Sequence, residues 1–304
     1  MVIRKATRAL AFGRAGAFLL APNFTPPKSH CVLLRWILGD GKEAAEEALV
    51  LRSFQLQLSN DFVNSRKEYL KRFKRTFNTD NAKELCAVYS ARPETRARYS
   101  ACLYAPAKAF TTKLFRDHVQ LRPRSVSFLS GGAGSGKSVL QNYLGREDRP
   151  VVLDGTLSSY AAARADVDFA IQHTRKVRIL HVHCPVERAL HFAIVRAMKL
   201  GRTMSLDALA QTHFYAPETL LRLAFDYAET REVEITVVDN SDHYAPRLQE
   251  LAFIETIRPK DLSCLKDQLH DAFSLAVKAQ ERATGKPFPD YLHAGFARAG
   301  RKVS

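Results

Sequence analysis

Short apolar runs rich in β-branched residues recur in the second half of the chain, at 126–129, 151–153, 177–182 and 233–238. Between them lie longer stretches whose apolar residues fall three and four positions apart. Strands that are apolar throughout are buried on both faces, and their alternation with helices predicts an α/β parallel sheet with helices on both faces. Residues 56–122 lack such runs and read as helical, with Asn78-Thr79-Asp80-Asn81 as an interruption that suits a helix N-cap. Leu262, Leu265, Leu269, Phe273 and Val277 recur every three or four residues, which predicts a helix packing by one face. Ahead of residue 56 the pattern is poorly defined, with helix-compatible pieces at 31–38 and 43–57 split by Gly39-Asp40-Gly41. The chain thus divides into a basic N-terminal segment (1–55), a helical segment (56–122), an α/β core (123–260) and a C-terminal helix and tail (261–304), with no internal repeat.

The first core strand leads into Gly131-Gly132-Ala133-Gly134-Ser135-Gly136-Lys137-Ser138, and the helix-compatible residues 139–144 follow. Strand, G-x-x-x-x-G-K-S and helix in that order are the setting of a phosphate-binding loop. Glycines let successive backbone N–H groups turn inward toward an anion, and a helix N-terminus adds unpaired donors and a positive dipole end. Lys137 is then the residue for the β- and γ-phosphates of ATP, and the Ser138 hydroxyl a ligand for Mg²⁺. The plainer alternative is a glycine-rich turn carrying an exposed lysine.

Ligands of such sheets bind at the carboxyl ends of the strands, so the residues leaving each strand matter most. The run at 151–153 delivers Asp154-Gly155-Thr156, that at 177–182 delivers His181, His183 and Cys184, and that at 233–238 delivers Asp239-Asn240-Ser241. His181 and His183 share a strand face and could ligate a metal, but without a nearby third ligand they read better as core or mouth histidines. Asp239-Asn240 reads equally as a nucleotide contact or as the start of a turn. A helical stretch with Arg188, Arg196 and Lys199, then Arg202 after Gly201, suits a basic lid over the phosphate loop, since phosphoryl transfer needs positive charge near the migrating group. A solvated basic face is the alternative.

The 304 residues are 46% hydrophobic, enough for one large or two modest cores, and no apolar stretch is long enough for a bilayer span. Five scattered cysteines without a C-x-x-C pair argue against a disulfide framework or a zinc site and make a reducing, cytoplasmic setting the default. A formal net charge of +15 attracts anions without choosing among them. Residues 1–39 hold no acid and include a small apolar run at 15–21, which reads as an organellar or secretory leader or, more plainly, as a flexible or misassigned start. The cluster at 66–75 interleaves cations with Tyr69, Leu70 and Phe73. It could grip nucleic acid, although a solvated face over a buried apolar stripe is the commoner outcome.

Taken together, GGAGSGKS at 131–138, LDGT at 153–156, the basic lid with Arg196 and Arg202, the stretch 201–224 and VEITVVDNS resemble the zeta toxin family of P-loop kinases. The resemblance implies a P-loop kinase-like fold that passes the γ-phosphate of ATP, with Mg²⁺, to a hydroxyl of a small molecule. A sugar nucleotide such as UDP-N-acetylglucosamine is the implied acceptor, and an antitoxin protein an implied partner. By the same resemblance Gly131, Gly132, Ala133, Gly134, Ser135, Gly136, Lys137 and Ser138 bind the triphosphate, Arg196 and Arg202 stabilise the transferring group, and Thr156 helps define the acceptor pocket. The family carries a strand ending in an acceptor-binding aspartate between the phosphate loop and the acid-Gly-Thr strand, but only fifteen residues separate Ser138 from Asp154 here. The upstream piece 76–83 is similar to the missing one, which implies a rearranged order with Asp80 as the acceptor-binding aspartate and Asp154 as the rival base. A nucleic-acid-associated P-loop NTPase, or a triphosphate-binding module without turnover, are the alternative functions.

Overall fold

The computed structural model of the protein describes residues 41–139, 150–174, 176–242 and 244–297. The readings made for 1–40, and nearly all of the helix expected at 139–144, lie outside those residues. In chain order the elements are helices α1 (Gly41–Asn60) and α2 (Phe62–Phe73), strand β1 (Thr76–Phe77), helices α3 (Thr79–Lys83), α4 (Ala87–Ser90), α5 (Pro93–Tyr99) and α6 (Tyr104–Val119), strands β2 (Val126–Ser130) and β3 (Val151–Asp154), helix α7 (Tyr160–Ile171), strand β4 (Val177–His183), helices α8 (Val186–Leu200) and α9 (Leu206–Asp226), strands β5 (Val233–Asp239) and β6 (Arg247–Gln249), and helices α10 (Ala252–Ile257), α11 (Leu262–Thr284) and α12 (Asp290–Ala297).

All six strands form one sheet in the order β1-β3-β2-β4-β5-β6. The first five are parallel, and β6 closes the edge antiparallel to β5. The phosphate-loop strand β2 is therefore interior, with Val126 opposite both Val151 and Val177 and Phe128 opposite both Leu153 and Ile179. All five of its residues are buried, which is why it reads as a continuous apolar run. Strand β1 falls in the piece 76–83 where the resemblance implies one, although periodicity alone reads 56–122 as helical. One departure stands out: the C-terminal segment holds two helices rather than one.

Side chains alternate across the sheet. Val126, Phe128, Val177 and Ile179 face a core shared with Phe115 of α6, Val167 of α7 and Leu220 and Leu223 of α9. Rings of Phe77, Phe115 and Phe128 follow one another edge-on at 6.2 and 5.7 Å, and each such buried ring contributes about 1.5–3 kcal/mol. Leu129, Val152, Leu180, Val182 and Val238 form a second apolar layer on the opposite face. A separate helical core above the loop joins Ala97 of α5, Ile194 of α8, Leu209 of α9, Leu269 and Phe273 of α11 and Phe296 of α12. Among the described residues no helix is long and apolar enough to cross a membrane.

Candidate functional site

The loop 131–138 leaves the carboxyl end of β2 and is held from both sides. Gly131, Gly134 and Gly136 have φ of 125°, 75° and 89°, backbone that only glycine adopts without strain. Gly131 donates its N–H to the Thr156 carbonyl at 3.1 Å, so the strand end carrying Thr156 supports the start of the loop. From α9, Thr212 accepts the Ala133 N–H at 3.1 Å and His213 Nε2 donates to the Ala133 carbonyl at 2.9 Å. From the end of β5, buried Asn240 donates to the Ser135 carbonyl at 2.9 Å, while Asp239 accepts from Ser241. Of the two readings open for Asp239-Asn240, the aspartate makes the turn and the asparagine braces the loop. Among the described residues no acceptor takes the N–H groups of Gly134, Gly136, Lys137 and Ser138. A run of unpaired amides in this conformation is an anion nest.

Lys137 is buried inside that nest, with Nζ donating to the carbonyls of Gly131 and Gly132 at 2.9 and 2.7 Å. Burial pushes its ammonium down to about 8, against the pull of the Asp154 charge. Asp154 ends β3, where it accepts from Ser138 Oγ at 3.3 Å and from Asn78 Nδ2 at 2.9 Å. Burial pushes its carboxyl up, opposed by Lys137 and by those two hydrogen bonds. Hydroxyl and carboxylate side by side are the oxygen donors that suit Mg²⁺, which keeps most of its shell for water and phosphate. Among the described residues no group of three or more His, Cys, Asp or Glu could hold a metal ion. The alternative of His181 and His183 as ligands gains nothing: His181 is buried and its Nδ1 lies 2.9 Å from Ser130 Oγ.

Strand β1 brings the upstream segment to the same end of the sheet. Asn78 follows it and joins the two halves of the site, because its Oδ1 caps α3 by accepting the Asp80 and Asn81 N–H groups while its Nδ2 reaches Asp154. Asp80 therefore lies in the first turn of α3, where its charge bears on Asp154. Its carboxylate takes a hydrogen bond from Lys83 Nζ at 2.9 Å, and that ammonium, only 3% exposed, also donates to Ser100 Oγ at 3.1 Å. Lys83 first, then Arg196 and Arg202, hold the Asp80 carboxyl far below the usual range despite burial.

The basic stretch divides its labour. Arg196 of α8 lies within electrostatic reach of both Asp80 and Lys137, and among the described residues its buried Nε has no hydrogen-bond partner. Arg202 is bound instead to buried Glu84 through Nη2 at 2.7 Å and Nε at 3.2 Å, and Glu84 also takes Arg96 at 3.1 Å. Arg188 donates to the Ser241 carbonyl, and Lys199 is exposed. Thr156, expected in the acceptor pocket, spends its hydroxyl on Ser158 at 3.0 Å. Asn78 and Lys83 lie in the piece 76–83, the former reading as part of a helix cap, but the motifs assign neither a site role; Glu84, Thr212 and His213 are not picked out by motif. Asn78, Lys83 and Glu84 lie close in sequence around Asp80, a density of polar groups that is the signal available in sequence.

The loop carrying Arg202 is a fixed wall rather than a free flap. A β-carbon at Gly295 of α12 would sit 2.5 Å from Thr203 Oγ1 and 2.7 Å from its Cβ, so the C-terminal helix is seated directly on residue 203. Gly295→Ala is expected to cost about 1–3 kcal/mol by overpacking, read as a lower denaturant midpoint. Adding Thr203→Ala should recover part of that loss, since it removes the hydroxyl and methyl that the new carbon meets. Equal losses in single and double variants would contradict the seating.

Buried histidines beside the loop make stability depend on pH. Burial, with the Lys137 charge adding, pushes His181 down to about 3 and His213 down to about 4. An unfolded histidine titrates near 6.5, so below that pH the unfolded chain binds more protons and is favoured. Stability is expected to be full well above pH 6.5 and to fall by about 3 kcal/mol per histidine, about 6 in all, by pH 4. Urea midpoints measured across that range check it, and His213→Gln, which keeps the donor to Ala133, should flatten the slope.

Compared with models of known protein families the chain matches none, and no curated protein matches it.

Proposed function

We propose that the chain is a P-loop kinase of the kind the zeta toxin resemblance implies, passing the γ-phosphate of ATP to a hydroxyl of a small molecule. One observation supports this reading: an upstream strand joins the phosphate-loop sheet, and Asn78 after it both caps the Asp80 N–H and hydrogen-bonds Asp154, on which the Asp80 and Lys137 charges both bear. The unpaired amides of Gly134, Gly136, Lys137 and Ser138 and the unpartnered Arg196 Nε fit a triphosphate, and the Ser138–Asp154 pair fits Mg²⁺.

In the reaction the acceptor oxygen bonds to the γ-phosphorus as the bond to the β–γ bridging oxygen breaks, and ADP leaves. Such transfer passes through a loose transition state, so positioning and charge do most of the work. Lys137 turns from its own carbonyls to the phosphate oxygens. Arg196 supplies its free donor to the migrating group, while Arg202, braced by Glu84, adds charge from behind. Asp80, held ionised by Lys83, accepts a hydrogen bond from the acceptor hydroxyl and aims its oxygen; a carboxylate so acidic takes that proton only as the new bond to phosphorus makes the oxygen acidic, and then passes it to water. Asp154 serves the magnesium side. Bound Mg²⁺ would neutralise charge on the β- and γ-phosphates.

Incubating the purified protein with γ-labelled ATP, Mg²⁺ and a panel of sugar nucleotides and simpler hydroxyl acceptors tests the reading. Label should move to one acceptor class. Absence of label on every acceptor, with nucleotide bound, would favour a binding module instead.

A further inference from the structure

The basic run at 66–75 has no part in the phosphate site. Its apolar members turn inward: Tyr69 is buried, with its ring 5.0 Å from Phe73 and 6.0 Å from Phe77. Its cations turn outward, with Lys67, Lys71, Lys74 and Arg75 exposed and Arg66 half-buried. Arg75 stands just ahead of β1 and Arg124 just ahead of β2, with β3 between them, so both mark the amino-terminal edge of the sheet about 10 Å apart. The charges of Arg66 and Arg75 both bear on His118 near the end of α6, from which the chain continues through exposed Arg122 to Arg124.

Carboxylates on these elements are already engaged: Glu68 by Arg72 at 3.3 Å, Asp117 by Lys113 at 3.1 Å and Asp166 by Arg116 at 3.3 Å. Among the described residues, none of Arg66, Lys67, Lys71, Lys74, Arg75, Arg122 and Arg124, unlike Arg72, has a carboxylate within ion-pair distance. Lys74 and Arg122 moreover have φ of 57° and 53°, so a basic side chain stands at two positions where glycine would be free of strain.

We propose that this face, α2 together with the amino-terminal edge of β1 and β2, binds the phosphate backbone of a nucleic acid. Charge complementarity supplies the partner: a stripe of uncompensated cations along α2 and the sheet edge suits a run of phosphates, and arginine forks grip phosphate bidentately. A membrane surface is disfavoured because α2 turns Tyr69 and Phe73 into the core and leaves only Val63 of its large apolar residues exposed, too little to insert. The phosphate loop leaves the opposite end of β2, so nucleic acid and ATP would occupy separate ends of the sheet.

Fluorescence anisotropy of the full chain with a labelled 20-nucleotide single-stranded RNA tests this across a salt series. Binding should weaken with a log–log slope of about −4, the value for some six phosphates on a single strand. Lys67→Glu with Lys71→Glu should weaken binding at least about tenfold and lower the slope, as should Arg75→Gln with Arg124→Gln on different elements. Lys278→Glu with Lys286→Glu, exposed cations elsewhere, should stay within about twofold, and ATP should not compete. The proposal is overturned by failure to bind RNA at low salt, by equal losses in face and control variants, or by binding to anionic phospholipid vesicles without binding to RNA.

Discussion

Lys137→Ala is expected to abolish phosphotransfer, lowering the rate by about 10³-fold or more, while leaving the fold intact. The two consequences separate because of where the ammonium sits. In the free protein it is buried and donates to two carbonyls of its own loop, and burial has brought it down to about 8. Its removal relieves a desolvated charge and frees two acceptors, so melting temperature should move little. The sign of the pH effect follows. Between pH 8 and about 10.5 the unfolded chain binds the proton that the folded chain has released, so wild-type stability should rise across that window. Lys137→Met should lack the rise. Label transfer that survives Lys137→Ala would remove the loop from the chemistry.

Asp80→Asn is expected to lower kcat by about 10²–10⁴-fold with ATP affinity unchanged, because the carboxylate addresses the acceptor and not the nucleotide. The substitution also strands the Lys83 ammonium, which is nearly inaccessible and bonded to Ser100 as well. Stability should therefore fall, and Asp80→Asn with Lys83→Met should restore it. Transfer should stay lost in the double variant, which separates positioning of the acceptor from upkeep of the fold. Asp154→Asn should instead weaken binding of ATP with Mg²⁺, through the Ser138 contact. Full transfer in Asp80→Asn, with loss in Asp154→Asn alone, would reverse the two assignments.

Much of the sheet was legible because its strands are short, β-branched and buried on both faces, a pattern that reports burial directly. β1 was not legible from periodicity, since two residues carry none; only the resemblance of 76–83 to a family strand implied it. β6 is equally short and lies at an edge, with Leu248 exposed, so no apolar pattern marks it. Within the site, the glycine loop and Lys137 were readable because backbone conformation demands glycine at fixed spacing. The bracing by Thr212, His213 and Asn240 was not, because contacts across 79 to 105 residues leave no local trace. Arg202 was expected to face the transferring phosphate, yet Glu84 holds it, and an ion pair spanning 118 positions is likewise invisible to spacing. The seating of α12 on Thr203 belongs to the same class: the C-terminal helix reads as a packing element, while the residue it steadies lies next to a candidate catalytic arginine.

The central claim is that a carboxylate from upstream of the phosphate loop and the loop itself make one site. A crystal structure of the protein with a non-hydrolysable ATP analogue and Mg²⁺ tests it most directly. The account predicts the triphosphate in the amides of 134–138, Lys137 turned from the Gly131 and Gly132 carbonyls to phosphate, Arg196 on the γ-phosphate and Asp80 facing that group across the acceptor space. A nucleotide bound elsewhere, or a γ-phosphate turned away from Asp80 with other residues between them, would contradict it.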